Sequence, residues 1–233
     1  MDFQDRHIVV TGGTGALGIA VVSALIKAGA VCHVPWHTEV EAEHFPHRGH
    51  RQVVLVGNTD LTDEAAVARL FGGVAHLWAS IHLAGGFAMA PVAETGKAAL
   101  QLQIDMNFVT CFLCCRAAVV RMKLGRAGGR IVNVAARPAL EWRSGAGMGA
   151  YAASKAAVAA LTVALAEEVA NDDILVNAVA PSIMDTPANR KAIPKADYSA
   201  WPKVEEVAQT ILFLASPDNS VTRGGIVPVY GKA

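Results

Sequence analysis

Ile8-Val9-Val10-Thr11-Gly12-Gly13-Thr14-Gly15-Ala16-Leu17-Gly18 is the stretch that decides how this chain folds. A short apolar run ends in a glycine-rich turn, and a helical pattern over Ala16–Ala28 begins where the turn stops. Glycine allows the tight turn and lets another molecule approach the backbone closely. A strand that turns directly into a helix collects unpaired N–H groups and the positive end of the helix dipole at one point. Such a point receives phosphate groups. Three spaced glycines can also serve a purely structural turn. Their place after the first apolar strand favours a dinucleotide site built from Gly12, Thr14, Gly15, Ala16, Leu17 and Gly18.

Outward from that stretch, short apolar runs alternate with longer helical segments. Val31–Val34, Gln52–Val56, Ser80–Leu83, Arg130–Val134, Leu175–Val179 and Ile226–Val229 read as six further strands. They are apolar on both faces, as strands covered by helices on each side must be. Helical patterns fall near Asp63–Phe71, Ala98–Met122, Ala150–Ala170 and Val204–Leu214. The fold class expected is α/β, a Rossmann-type doubly wound sheet of about seven parallel strands flanked by helices. Pro181, Pro187, Pro194 and Pro202 interrupt the alternation. Residues 1–233 therefore read as one domain, with a substrate-covering segment near 182–203.

Composition narrows the function. With 53% hydrophobic and 17% charged residues, the chain suits a folded enzyme and not a disordered one. A formal charge of zero offers no basic surface for nucleic acid or anionic lipid. The N-terminus lacks the apolar core of a signal peptide, and the apolar stretch Ala156–Ala166 is short for a bilayer span. A cytoplasmic location is expected. Cys111, Cys114 and Cys115 lie at i, i+3 and i+4 of an apolar helix and read as buried small residues, with no metal site. His44, His47 and His50 read as a solvated loop.

At the end of the second strand an acidic residue would bind a ribose diol and repel a 2′-phosphate. Here the sequence is Val34-Pro35-Trp36-His37-Thr38, with no carboxylate before Glu39. Trp36 and His37 could flank an adenosine, and the reading leans to NADP(H) within NAD(P)(H).

Tyr151 and Lys155 supply the chemistry. At i and i+4 they share one face of a helix. A phenol titrates near pH 10, and an adjacent ammonium favours its ionised form. Tyr151 then becomes an acid/base for hydride transfer between a nicotinamide and a carbonyl or conjugated C=N group.

The glycine turn, Asp60-Leu61-Thr62, Leu83-Ala84-Gly85-Gly86, Asn107, Tyr151, Lys155, Asn177-Ala178-Val179-Ala180-Pro181 and Gly224-Gly225 occur together in that order. In this the chain resembles the short-chain dehydrogenases/reductases over essentially its whole length. The resemblance implies that Asp60, with Leu61, meets the adenine and that Ala84, Gly85 and Gly86 meet the nicotinamide-side ribose. It places Pro181 and Ile183 at the cofactor. It gives Asn107 a place in a proton relay, and gives Lys155 the ribose hydroxyls and the lowering of the Tyr151 pKa. It also implies a homodimer or homotetramer formed by the helices Ala98–Met122 and Ala150–Ala170.

Two departures stand out. A glycine is expected where Ala16 stands, and the serine expected after the fifth strand is replaced in Asn133-Val134-Ala135-Ala136-Arg137-Pro138. Ser144 is the nearest hydroxyl. Dihydropteridine reductases are similar in lacking that serine, and the likeness extends through Met184–Trp201. Pterin reduction is thus a specific alternative. A non-catalytic NAD(P)-binding redox sensor is a rival of another class, against which the retained Asn107, Tyr151 and Lys155 count. Trp142, Trp201, Tyr198, Met184 and Ile193 could wall the nicotinamide or simply pack, and Arg137 and Arg143 could hold an anionic substrate or lie in solvent.

Overall fold

The seven apolar runs form strands β1 (His7–Thr11), β2 (Val31–Pro35), β3 (Val53–Val56), β4 (Leu77–His82), β5 (Gly129–Val134), β6 (Ile174–Pro181) and β7 (Ile226–Val229). In this computed structural model, which describes residues 1–233, they make one parallel sheet in the order β3-β2-β1-β4-β5-β6-β7. Nine α-helical segments connect them: α1 (Ala16–Lys27), α2 (Glu39–Glu43), α3 (Glu64–Gly72), α4 (Lys97–Ile104), α5 (Thr110–Gly125), α6 (Arg137–Leu140), α7 (Gly149–Glu168), α8 (Pro187–Ala192) and α9 (Val204–Ala215).

Strand periodicity sorts the core into two layers. Ile8 and Val10 join Val21, Val22, Leu25, Ile211 and Leu214 under α1 and α9. Val9 points the other way, to Phe71, Cys114, Ala118, Met122, Val158 and Leu165 under α3, α5 and α7. Each fully buried aliphatic side chain contributes about 1.5–3 kcal/mol by leaving water. This two-sided covering is why apolar residues fall on both faces of the strands and do not simply alternate.

The sequence pattern Ala98–Met122 reads as one helix, but the structure breaks it. A turn of π-helix, Asp105–Val109, separates α4 from α5. The extra residue in that turn has no proline or glycine to announce it. Helix α7 is 20 residues long and by length and composition could span a membrane. Its buried stripe of Ser154, Lys155, Val158, Ala159, Thr162, Leu165 and Ala166 packs into the fold instead. The 182–203 segment folds back on itself: Asp185 bridges to Lys203, and Arg190 donates from Nε and Nη2 to the Asp185 carboxylate at 2.6 and 2.7 Å.

Strand order reverses between β1 and β4, so their carboxyl ends open a crevice between neighbouring connections. The Leu83 N–H donates to the Thr11 carbonyl at 3.0 Å and the Ala84 N–H reaches Thr11 Oγ1 at 3.4 Å. The glycine turn and the loop after β4 are thereby fastened side by side.

Candidate active site

Two glycines of the turn are fixed by sterics. Gly12 has φ +65°, and a Cβ there would lie 2.6 Å from Ala84 N. A Cβ on Gly18 would collide with the Gly12 carbonyl oxygen. Gly15 is less constrained: its Cβ would stand 3.4 Å from Gly12 O, and it serves as the N-cap of α1. Thr14 and the exposed Ala16 complete the turn, with Leu17 buried behind it. The protein's own packing thus demands glycine at 12 and 18 and leaves position 16 free for alanine. Gly13, absent from the sequence reading, is also tight, since a Cβ would meet Val34 Cγ1 at 2.8 Å.

Tyr151 and Lys155 lie on the first turns of α7, at the carboxyl ends of β4 and β5. Because Lys155 belongs to the buried stripe, its ammonium sits 7% exposed and donates to the Val134 carbonyl at 2.9 Å. Burial pushes this ammonium down to about 8. Burial pushes the Tyr151 phenol up to about 12, against the lowering expected from the sequence. Burial is the cause, and the Lys155 ammonium uses one of its donors on the Val134 carbonyl. The phenol ring instead meets Phe87 edge-on, with centroids 4.9 Å apart at 84°.

Asn107, inside the π-turn, is 1% exposed and fully engaged. Its Oδ1 accepts from the Gly86 N–H, and its Nδ2 donates to the Gly86 carbonyl, both at 3.0 Å. Nδ2 also reaches Ser154 Oγ at 3.2 Å, and that hydroxyl donates to the Tyr151 carbonyl at 2.7 Å. A Cβ on Gly85 would meet Asn107 Oδ1 at 2.5 Å and Lys155 Nζ at 3.4 Å. Ala84, Gly85 and Gly86 are therefore drawn against Asn107 and Lys155 in one crevice with Tyr151.

At the far end of the crevice, Trp36 lies on Gly57, whose Cβ would come within 2.5 Å of the indole. His37 is exposed, and its N–H donates to the Glu41 carboxylate at 3.1 Å. A carboxylate does reach this turn, carried by α2, a helix too short to leave a sequence pattern. Asp60 Oδ1 accepts from the Thr62 N–H and hydroxyl at 2.8 and 2.7 Å, and these bonds hold its carboxyl below the usual range. Leu61 follows it, partly buried against the core. Pro181 closes β6, and Ile183 is exposed just beyond it.

The missing serine has no hydroxyl in its stead. Ala135 is buried among alanines, Ala136 beside it is buried too, and Ser144 Oγ donates to the Glu141 carbonyl at 2.8 Å. Of the apolar residues named for a wall, Trp201 is buried and its ring meets that of Tyr198 at a tilt, with centroids 5.1 Å apart. Arg137 is bound to Glu141 at 2.7 Å and lies over the Tyr230 ring.

Behind the crevice the structure brings His82 to Cys111 and Cys115, with ligating atoms within 4.8 Å of one another. No sequence signal joins a strand histidine to that helix stripe. Asn133 Oδ1 sits among them, 2.8 Å from His82 Nδ1 and 3.4 and 3.5 Å from the two sulfurs, while Ser80 Oγ meets His82 Nε2 at 2.7 Å. The groups satisfy one another as a buried hydrogen-bond network.

Residues 6–197 match the family described as short chain dehydrogenase. The chain belongs to that family. It is 35% identical to galactitol 2-dehydrogenase of Rhizobium johnstonii, over 96% of this chain and 93% of the relative. It is 34% identical to cis-4-hydroxycyclohexanecarboxylate dehydrogenase of Sinomonas cyclohexanicum, over 98% and 96%. The solved structure of ElxO with NADP bound shares the fold, with a TM-score of 0.88 at 24% identity over 98% of each chain.

As a short-chain dehydrogenase/reductase, the protein is an NAD(P)-dependent oxidoreductase acting on a small molecule. Its residues fit the dinucleotide: glycine at 12 and 18 lets the turn pack closely on the loop after β4 and on itself, and glycine at 85 lets that loop lie against Asn107 and Lys155. The N-terminus of α1 begins at that turn with free N–H groups, suited to a pyrophosphate.

Proposed function

We propose that the protein reduces a carbonyl, or a conjugated C=N group, with Tyr151 as acid/base and Lys155 and Asn107 as its catalytic partners. One observation carries this reading: Tyr151, Lys155, Ser154 and Asn107 meet at the crevice beside the glycine turn. Gly12, Thr14, Gly15, Ala16, Leu17 and Gly18 would hold the pyrophosphate, with Trp36, His37, Asp60 and Leu61 at the adenosine. Ala84, Gly85, Gly86, Tyr151, Lys155, Pro181 and Ile183 would surround the nicotinamide riboside.

A bound nicotinamide supplies the hydride, which adds to the carbonyl carbon. Tyr151 gives its proton to the oxygen, so that C=O becomes CH–OH. Burial alone raises the phenol and would make it a weaker acid, so the proton transfer relies on the cationic groups brought to it, Lys155 among them, to bring its pKa down. Lys155 orients ribose hydroxyls, and Asn107 holds the loop against which the ring lies.

NADP(H) is the favoured cofactor in this reading, with His37 and Thr38 exposed to receive a 2′-phosphate, while the Glu41 carboxylate on the His37 N–H counts toward NAD(H). Residues 1–233 act as one domain, with 182–203 covering substrate. Exposed apolar side chains on α5 and α7, Phe112, Val120, Leu124 and Val163, favour a homodimer or homotetramer, and we place it in the cytoplasm. The missing hydroxyl keeps pterin reduction as a second reading. The test is cofactor oxidation by wild type and Tyr151→Phe, with NADH and NADPH, against quinonoid dihydropterin and a panel of ketones and aldehydes. Turnover that depends on Tyr151 supports the reductase. Tight cofactor binding without turnover on any substrate would favour a sensor.

A further inference from the structure

We propose that the substrate is an uncharged, largely hydrocarbon ketone, or its secondary alcohol, held against a wall formed by Phe87, Met89 and Val92. The inference rests on the reading of Tyr151 as acid/base and adds the substrate class.

Three observations combine. First, the two segments that meet at Tyr151 are free of charge: neither Leu83–Ala93 nor Ser144–Ser154 contains an acidic or basic side chain. Second, the apolar groups of the first segment stand over the start of α7 with their surfaces open. Phe87 contacts the Tyr151 ring and is still 59% exposed. The Met89 methyl group lies 3.2 Å from where a Cβ of Gly147 would be, and Val92 Cγ2 lies 3.4 Å from that of Gly149. Met89 is 63% exposed and Val92 80%. Single exposed apolar residues are ordinary, but three on one loop, the first against the Tyr151 ring and the others over the turn that leads into its helix, mark a ligand surface.

Third, the hydroxyls in these segments already have partners. Ser154 Oγ donates to the Tyr151 carbonyl and Ser144 Oγ to the Glu141 carbonyl. From these two segments, beyond the carbonyl oxygen that Tyr151 protonates, a polyol or ketose would find few groups to replace the water it loses, and each unmet hydroxyl weakens binding. A hydrocarbon ring loses nothing there. Hydride adds to the ring carbonyl carbon and the Tyr151 proton to its oxygen, the reduced nicotinamide being oxidised in step.

The test compares kcat/KM of the full-length enzyme for cyclohexanone and 2-decalone with that for xylulose, a polar ketone, and for 4-oxocyclohexanecarboxylate, an anionic one. Galactitol and cyclohexanol are compared in the reverse direction. The larger hydrocarbon ketone is expected to be the best substrate. Phe87→Ala and Met89→Ser should each lower the ratio of its kcat/KM to that for xylulose by about 10-fold or more, as loss of apolar pocket contacts does. Cofactor affinity and thermal midpoint, measured in parallel, separate this from misfolding. Tyr151-dependent preference for xylulose or galactitol overturns the substrate class and leaves the reductase reading standing. Preference for the anionic ketone, lost in Arg143→Ala, overturns it equally, as does failure of cyclic ketones both to turn over and to bind. Turnover of decalone that persists in Tyr151→Phe overturns the reading on which the inference rests.

Discussion

Asn107 holds Gly86 by both backbone groups, accepting from its N–H and donating to its carbonyl at 3.0 Å each. This pairs a side-chain amide with both backbone groups of one residue, as though a further strand residue had joined a ladder. The same amide touches Ser154, which binds the carbonyl of Tyr151. The position of the cofactor loop and that of the phenol are therefore tied to one side chain. Asn107→Ala should leave the Gly86 groups unmet, costing about 1–3 kcal/mol in stability. Cofactor affinity should fall with it, whereas Asn107→Asp, keeping one oxygen acceptor, should retain part of both. Denaturant titration with fluorescence-monitored cofactor binding checks this.

Tyr151→Phe should lower turnover by about 10²–10⁴-fold, the contribution usual for a positioned acid. Its ring can keep the edge-on contact with Phe87, so cofactor affinity should be unchanged. Comparable turnover in wild type and variant would remove Tyr151 from the mechanism.

Gly85→Ala puts a methyl group within 2.5 Å of Asn107 Oδ1, where neither the amide nor Lys155 can withdraw without breaking its bonds. Cofactor binding should weaken strongly while the far-UV spectrum stays that of the folded protein. Calorimetry of the variant with NADPH gives the answer, and wild-type affinity would refute the crowding.

Glu41 places a carboxylate on the His37 N–H, at the end of β2 where a 2′-phosphate would approach. Glu41→Gln should therefore raise affinity for NADPH relative to NADH, and His37→Asp should reverse the preference. The ratio of the two dissociation constants is the measurement.

The pH dependence of stability should carry a signature from the opposite end of the sheet. His7 Nδ1 and His33 Nε2 are 2.9 Å apart, and burial, with His7 beside it, pushes His33 down to about 4. Its ordinary value of 6.5 returns on unfolding, so the unfolded chain takes up the proton first as pH falls. The contribution of His33 is complete above about 6.5 and is lost as pH drops toward 4. His33→Asn should flatten the stability slope across that interval in chemical denaturation.

Seven strands and their two-sided burial were legible because apolar runs such as Ile8-Val9-Val10 leave helices no alternative but to cover both faces. The glycine turn and the pair Tyr151 and Lys155 were legible because each is local. What sequence could not disclose depended on distance or on irregularity. Helices α2, α6 and α8 are only four to six residues long, below the length at which a 3.6-residue period can be recognised. Thus Glu41 escaped notice at the adenosine end. Phe87, Met89 and Val92 lie in a connection with no regular period. His82 meets Cys111 and Cys115 only because β4 runs beside α5. Helical spacing put Lys155 on the Tyr151 face but could not weigh the burial that pushes the phenol up, nor show the ammonium donating to Val134.

The π-turn at Asp105–Val109 has a consequence for how this site could be lost. One surplus residue in that turn sets α4 and α5 out of phase by roughly 100°, the rotation each residue adds to a helix of 3.6 per turn. Deleting a single residue there would restore an unbroken helix from Lys97 onward and improve its local hydrogen bonding. It would also swing the amide of residue 107 away from the loop it clasps. In this helix the regular winding and the working site exclude each other, and the sequence keeps the defect.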